Sequence, residues 1–171
     1  MRNTSQRYEY FLDPGYIAVN DKPTLFCSVC GNGIIIVIWD KIKHSGGMAH
    51  CIFPKKQKQK EKTNYQADVA LPMMINKMLA LKSVPRNMEA QVLGGGNFLG
   101  FSAKRANQVI RVIKKILDKF GIAIVSCDTG GIIGRKVMFD TFSGDVIVIK
   151  TKKVRSTDWA PEHLIGQDDR V

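Results

Sequence analysis

The chain is predicted to fold as an α+β protein. Short apolar, β-branched runs dominate residues 15–53, two helical patterns follow, and four further strand-like runs flank the second helix. With 171 residues, 44% hydrophobic and 24% charged, there is apolar material for one core but not comfortably for two. A chain of this size buries roughly 70% of its unfolded surface, so it needs neither disulfides nor a metal to fold.

The first four strands are predicted at Tyr16 to Val19, Leu25 to Val29, Ile34 to Trp39 and Met48 to Phe53. Pro23, Gly31-Asn32-Gly33 and Ser45-Gly46-Gly47 punctuate them. The unbroken Ile34 to Trp39 run predicts a strand covered on both faces, because a half-exposed strand would alternate polar and apolar residues. Lys55 to Lys62, with five lysines and one glutamate, repels itself and is predicted to be a surface loop.

Asn64 is positioned to cap a helix from Tyr65 to Leu81, with Val69, Met73, Met74, Met78 and Leu81 on one side and a kink at Pro72. The methionines read as pliable core filler. Ser102 is positioned to cap a second helix ending at Gly121, with Val109, Ile113, Ile116 and Leu117 inward and Lys104, Arg105, Arg111, Lys114 and Lys115 outward. Strands at Ala90 to Leu93, Ile122 to Cys127, Lys136 to Phe139 and Val146 to Thr151 complete the pattern, with a hairpin turn at Ser143-Gly144-Asp145. The predicted organisation is a tail over residues 1–14, one domain over 15–153, and a tail over 154–171.

Lys and Arg total 26 against 15 Asp and Glu, a net charge of +11, which points to an anionic partner. Without the lysine loop the rest still carries +7. No recognition motif and no aromatics interleaved with the basic residues accompany this charge, so solvated surface accounts for it better than nucleic-acid binding. The longest apolar run stops at Asp40, far short of the ~20 residues of a membrane span, so no membrane insertion is expected. Without a secretory h-region, the four cysteines read as reduced cytoplasmic thiols.

Three constellations bear on chemistry. Cys27-x-x-Cys30 with His50-Cys51 has some flavour of a zinc site, but a structural zinc normally uses two such pairs, and adjacent His50 and Cys51 on a strand point to opposite faces. No metal or cofactor is expected. A cysteine beside a glycine turn with a histidine on a neighbouring strand also has the composition of thiol acyl-transfer chemistry, against the bland reading of inert packing residues. His44 and His163 sit in polar flanks and read as solvated. Gly94-Gly95-Gly96 and Gly130-Gly131 fit neither a P-loop nor a Rossmann fingerprint, and read as tight turns rather than an anion cradle.

Taken in order, these stretches resemble the CheD family, the chemoreceptor glutamine deamidases of bacterial chemotaxis. The series is Thr24-Leu25 leading to a Cys and glycine turn, an apolar strand ending in Asp40, Gly46-Gly47-Met48-Ala49-His50 then Pro54, and Tyr65-x-x-Asp68-x-Ala70. It continues with Gly94-Gly95-Gly96, Asn107, Asp128-x-Gly130-Gly131-x-x-Gly134-Arg135 and Ser143-Gly144-x-Val146, covering roughly residues 15 to 152. The resemblance implies a layered mixed β-sheet sandwich with flanking helices, related to bacterial toxin deamidases. It also implies hydrolysis of glutamine side chains on the cytoplasmic helices of chemoreceptors, and a CheC-type phosphatase as a further partner.

His50 carries over as the catalytic histidine. Matching from the N-terminal side, Thr24 and Cys30 reproduce the family's Thr-to-Cys spacing, making Cys30 the nucleophile and Thr24 its helper. Matching back from Asp40 and His50 without a gap, the nucleophile position falls on Gly33, which implies instead a catalytically impaired binding module. Both registers stand at the level of sequence.

Overall fold

The computed structural model describes residues 7–55, 64–97 and 103–154. Its strands are β1 Tyr8–Phe11, β2 Ile17–Asn20, β3 Thr24–Cys30, β4 Ile34–Asp40, β5 Ser45–Cys51, β6 Met88–Gly94, β7 Ala123–Thr129, β8 Gly134–Asp140 and β9 Val146–Thr151. Helix α1 spans Ala67–Ala80 and α2 spans Ala103–Phe120. One sheet has the order β1-β3-β8-β9 and the other β2-β5-β4-β6-β7. In both, antiparallel pairs combine with one parallel pair, β1 with β3 and β6 with β7.

The unbroken apolar run of β4 explains the layering. Ile34, Ile36 and Ile38 join the core beneath the helices, with Leu71, Met74, Ile75, Met78, Val109, Ile113 and Leu117. Ile35 and Val37, on the opposite face, join Phe26, Met48, Val137 and Phe139 in a second core between the sheets. The five-stranded sheet is thus the middle layer, with helices on one face and the four-stranded sheet on the other. This is the layered α+β arrangement expected of the sequence.

Several local expectations change. Residues 8–11, assigned to the N-terminal tail, pair in register with Thr24 to Cys27 as β1. The Met48 to Phe53 strand begins earlier, at Ser45, and ends at Cys51. The residue at the start of α1 is Gln66 rather than Asn64, and its side chain makes no capping bond. Helix α1 runs on through Pro72; Met74 and Met78 are buried, whereas Met73 is 41% exposed. The Ser102 cap, nearly all of the lysine loop, His163 and the C-terminal tail lie outside the described residues.

Asp40 ends β4 for a physical reason. Its Oδ1 accepts the backbone N–H groups of Ile42 and Lys43, both at 3.0 Å, fixing the turn into β5. The register that follows pairs Asp40 with Ser45 and Ile35 with His50 without a bulge. A one-residue slip here would turn His50 out of the inter-sheet layer.

Candidate active site

All seven residues of β5 are buried. The Gly46-Gly47 pair makes room for this. A Cβ on Gly46 would stand 2.5 Å from the Phe139 ring, and one on Gly47 would stand 2.9 Å from Val19 and 3.1 Å from Met74. Beyond the glycines the strand alternates, so Met48 faces the inter-sheet core while Ala49 and Cys51 face the helices. His50 follows Met48 into the inter-sheet layer and is fully buried.

There the imidazole Nδ1 lies 3.2 Å from Oγ of Ser28 on β3. The Ser28 hydroxyl donates its single proton to the Leu12 carbonyl at 2.7 Å. Toward His50 it can therefore only accept, which requires Nδ1 to carry a proton and makes Nε2 the nitrogen that gains or loses one. Sequence reasoning missed Ser28; the one available signal was its alternation with Cys30 on a strand facing the histidine layer.

Nε2 faces Gly33. A Cβ built on Gly33 would run into Nε2 and stand 2.8 Å from Cδ2, so only a glycine fits against the ring in this arrangement. The Gly33 carbonyl accepts from Gly95 N–H at 2.8 Å and abuts the bare face of Gly94. Cys30 Sγ approaches that same face, 3.0 Å from where a Gly94 Cβ would stand. Cys30 is fully buried and opposes Arg135 in the β3–β8 ladder. Thiol, glycine turn and imidazole form one cluster in which Gly33 touches both the ring and the wall shared with the thiol.

The three glycine turns meet here. Gly130 N–H donates to Gly94 carbonyl at 2.9 Å and Asn97 N–H to Gly131 carbonyl at 2.7 Å. These amides serve turn-to-turn pairing, and Gly94, Gly95, Gly130 and Gly131 all have positive φ, as tight turns require. Arg135, nearly fully buried, holds the Gly130 turn. It donates to both Asp128 carboxylate oxygens, at 3.2 and 3.0 Å, and to the Gly130 carbonyl at 3.1 Å. Hydrogen bonding from Arg135 keeps the Asp128 carboxyl below its ordinary range.

Thr24 lies apart from the cluster. It begins β3, six residues before Cys30, about 20 Å along an extended strand. Its hydroxyl donates to the Lys22 carbonyl and accepts from Asn20, and its N–H donates to Thr141, all at 2.9 Å. The resemblance makes Thr24 the helper of Cys30, whereas the side chain hydrogen-bonded to His50 is Ser28, four residues further along β3. His44 is half-buried rather than solvated, with Nδ1 2.6 Å from the Phe142 carbonyl and its ring edge-on to Trp39.

Cys27 and Cys30, three apart on one strand, point to opposite faces, so they do not converge as a ligand pair. Cys51 faces the helices, and burial raises its thiol to about 12; burial also raises Cys27, which Glu9 reinforces.

In this layered α+β fold a buried imidazole is aimed at Gly33, whose carbonyl abuts Gly94, and the Cys30 thiol approaches that same Gly94, a candidate cysteine–histidine site. The CheD chemotactic sensory transduction family matches residues 52–150. The Clostridium novyi protein named probable chemoreceptor glutamine deamidase CheD is 37% identical over 123 residues, covering 68% of this chain and 76% of that protein. A protein of the same name from Trichlorobacter lovleyi is 28% identical over 148 residues, covering 85% of this chain and 92% of its own. The chain belongs to the CheD family. The matched family span begins two residues after His50, so the placing of Cys30 and His50 rests on geometry.

Proposed function

We propose that this chain is a chemotaxis protein that deamidates glutamine side chains of chemoreceptors, with Cys30 as nucleophile and His50 as proton carrier. Family membership supports the reaction class. The observation that carries the site is the Leu12–Ser28–His50 chain of hydrogen bonds, which presents Nε2 to Gly33, whose carbonyl abuts the same Gly94 that Cys30 Sγ approaches.

In this reading Cys30 gives its proton to Nε2 and the thiolate attacks the glutamine side-chain carbonyl carbon, forming the S–C bond. The tetrahedral intermediate collapses by breaking the C–N bond, and the imidazolium protonates the departing ammonia. Water, deprotonated by His50, then hydrolyses the thioester to glutamate and restores the thiol. Backbone amides of the Gly31 to Gly33 turn are the proposed oxyanion donors, an effect typically worth about 3 kcal/mol per donor. Because Gly33 faces Nε2, the first step requires this turn to shift and admit Sγ to the ring. A three-residue turn with two glycines does so at little entropic penalty.

Incubation with a purified chemoreceptor cytoplasmic fragment tests this. Wild-type protein is expected to release ammonia and convert specific glutamines to glutamate, and Cys30→Ala to do neither while remaining folded. Unchanged release by Cys30→Ala removes Cys30 from the mechanism.

One observation favours a second reading: the residue facing Nε2 carries no side chain. On that reading the chain is a CheD-like binding module that docks on chemoreceptors or on a CheC-type phosphatase without turning over glutamine. Binding without conversion by wild-type protein supports it. On either reading the proposed working unit is residues 15–153 together with β1, acting in the cytoplasm. No helix among the described residues is long and apolar enough to cross a membrane.

A further inference from the structure

Helix α2 carries six basic residues and one acidic one, Asp118. Lys104, Gln108, Arg111, Lys115 and Lys119 fall at i, i+4, i+7, i+11 and i+15, a single exposed stripe about 22 Å long at the helical rise. Between this helix and the segment after β5 runs a groove lined by Pro54, Lys55, Gln108, Arg111, Val112 and Lys115. Its floor is apolar, from Val112 and Pro54, and cations stand on both rims, Lys55 on one and Arg111 and Lys115 on the other. Among the described residues no carboxylate pairs with Arg111, Lys114 or Lys115.

The first turns of α2 pack beside the candidate active site, on the side of the helix away from the stripe. A Cβ on Gly95 would stand 3.2 Å from Ala106 in the first turns of α2, and Gly95 N–H bonds the Gly33 carbonyl. The groove's other wall follows directly from β5, the strand that carries His50, and Arg105 lies over the Phe53 ring at 5.5 Å.

We propose that this groove docks an acidic, amphipathic helical segment of the protein substrate and so delivers its glutamine to the Gly33 turn; the inference rests on the deamidase reading for the identity of that substrate. An apolar floor between cationic rims matches a helix with one apolar face flanked by carboxylates. Nucleic acid would call for aromatic platforms among the cations, and the groove has none.

The experiment measures the Kd of full-length protein for a purified chemoreceptor cytoplasmic fragment by isothermal titration at low and moderate salt. Arg111→Glu/Lys115→Glu reverses two groove charges, and Lys136→Glu/Lys152→Glu makes the same charge change on the four-stranded sheet and its exit. The groove variant is expected to weaken binding at least tenfold, roughly, and the control no more than about twofold, with wild-type affinity falling as salt rises. Equal losses in both variants, no loss in the groove variant, no binding by wild type, or tighter binding to duplex DNA of matched charge overturns the inference. Ammonia release is followed in the same samples. Conversion that persists in a groove variant with wild-type affinity sinks the groove alone, whereas groove-dependent binding without conversion sinks the deamidase reading and leaves the docking surface standing.

Discussion

Ser28 determines what His50 can do. Its hydroxyl has one proton, spent on Leu12, so the serine holds the ring through Nδ1 and leaves proton traffic to Nε2. Ser28→Ala is expected to cost about 1 kcal/mol of stability from the lost buried bonds. It should also lower kcat about tenfold or more with little change in KM and alter the pH profile of ammonia release, as expected of a positioning residue. Ser28→Thr should restore part of the rate. An unchanged profile in Ser28→Ala would show that the hydroxyl merely fills space. Gly33→Ala puts a methyl against the imidazole and is expected to destabilise by about 1–3 kcal/mol, read as a lower denaturant midpoint. An unaltered midpoint would mean that the ring and turn are not packed as described. At this scale His50 stood out as a candidate because its motif is contiguous in sequence. Ser28 was not, since its role depends on Leu12 and on which face of β3 meets β5, contacts across the fold that spacing does not encode. Thr24 shows the converse, a matching interval along the chain that the strand geometry carries about 20 Å away from the thiol.

Among the elements, the strands and helices were legible where periodicity was strong. The apolar run of β4 announced a doubly covered strand, and the polar-to-apolar rhythm of α2 announced its buried face. Strand β1 was not, because Tyr8–Phe11 is exposed along its length and is held by parallel pairing to β3 rather than by burial of its own. The glycine turns were legible as turns but not as a group. That they stack at one end of the molecule depends on the parallel β6–β7 pairing that brings Gly94 beside Thr129. Arg135 and Asp128 lock this assembly. Asp128→Asn would leave a nearly buried guanidinium partly uncompensated and is expected to cost about 2 kcal/mol at neutral pH. Because the Asp128 carboxyl is held below its ordinary range when folded, its stabilisation is present above the usual carboxylate range of about 4 and is lost as pH falls through the lowered value. The gap between wild type and Asp128→Asn should therefore be flat near neutrality and close in acid. A gap that widens in acid would contradict the pairing.

For the whole molecule, the three layers divide the work. The inter-sheet layer encloses His50 and Cys30, the helical layer supplies the basic face, and the candidate site sits where the three glycine turns close one end. Cys30 has no solvent exposure, whereas Cys127 is exposed. Burial alone ranks Cys127 as the more reactive thiol, and an activated Cys30 reverses that order. The rate of alkylation of each cysteine at neutral pH, resolved by peptide mass spectrometry in wild type and in His50→Ala, tests this most directly. Faster labelling of Cys30 than of Cys127, lost on removing the imidazole, is the predicted result. Labelling that follows exposure, with Cys127 first and Cys30 unaffected by His50→Ala, would contradict a thiol–imidazole site.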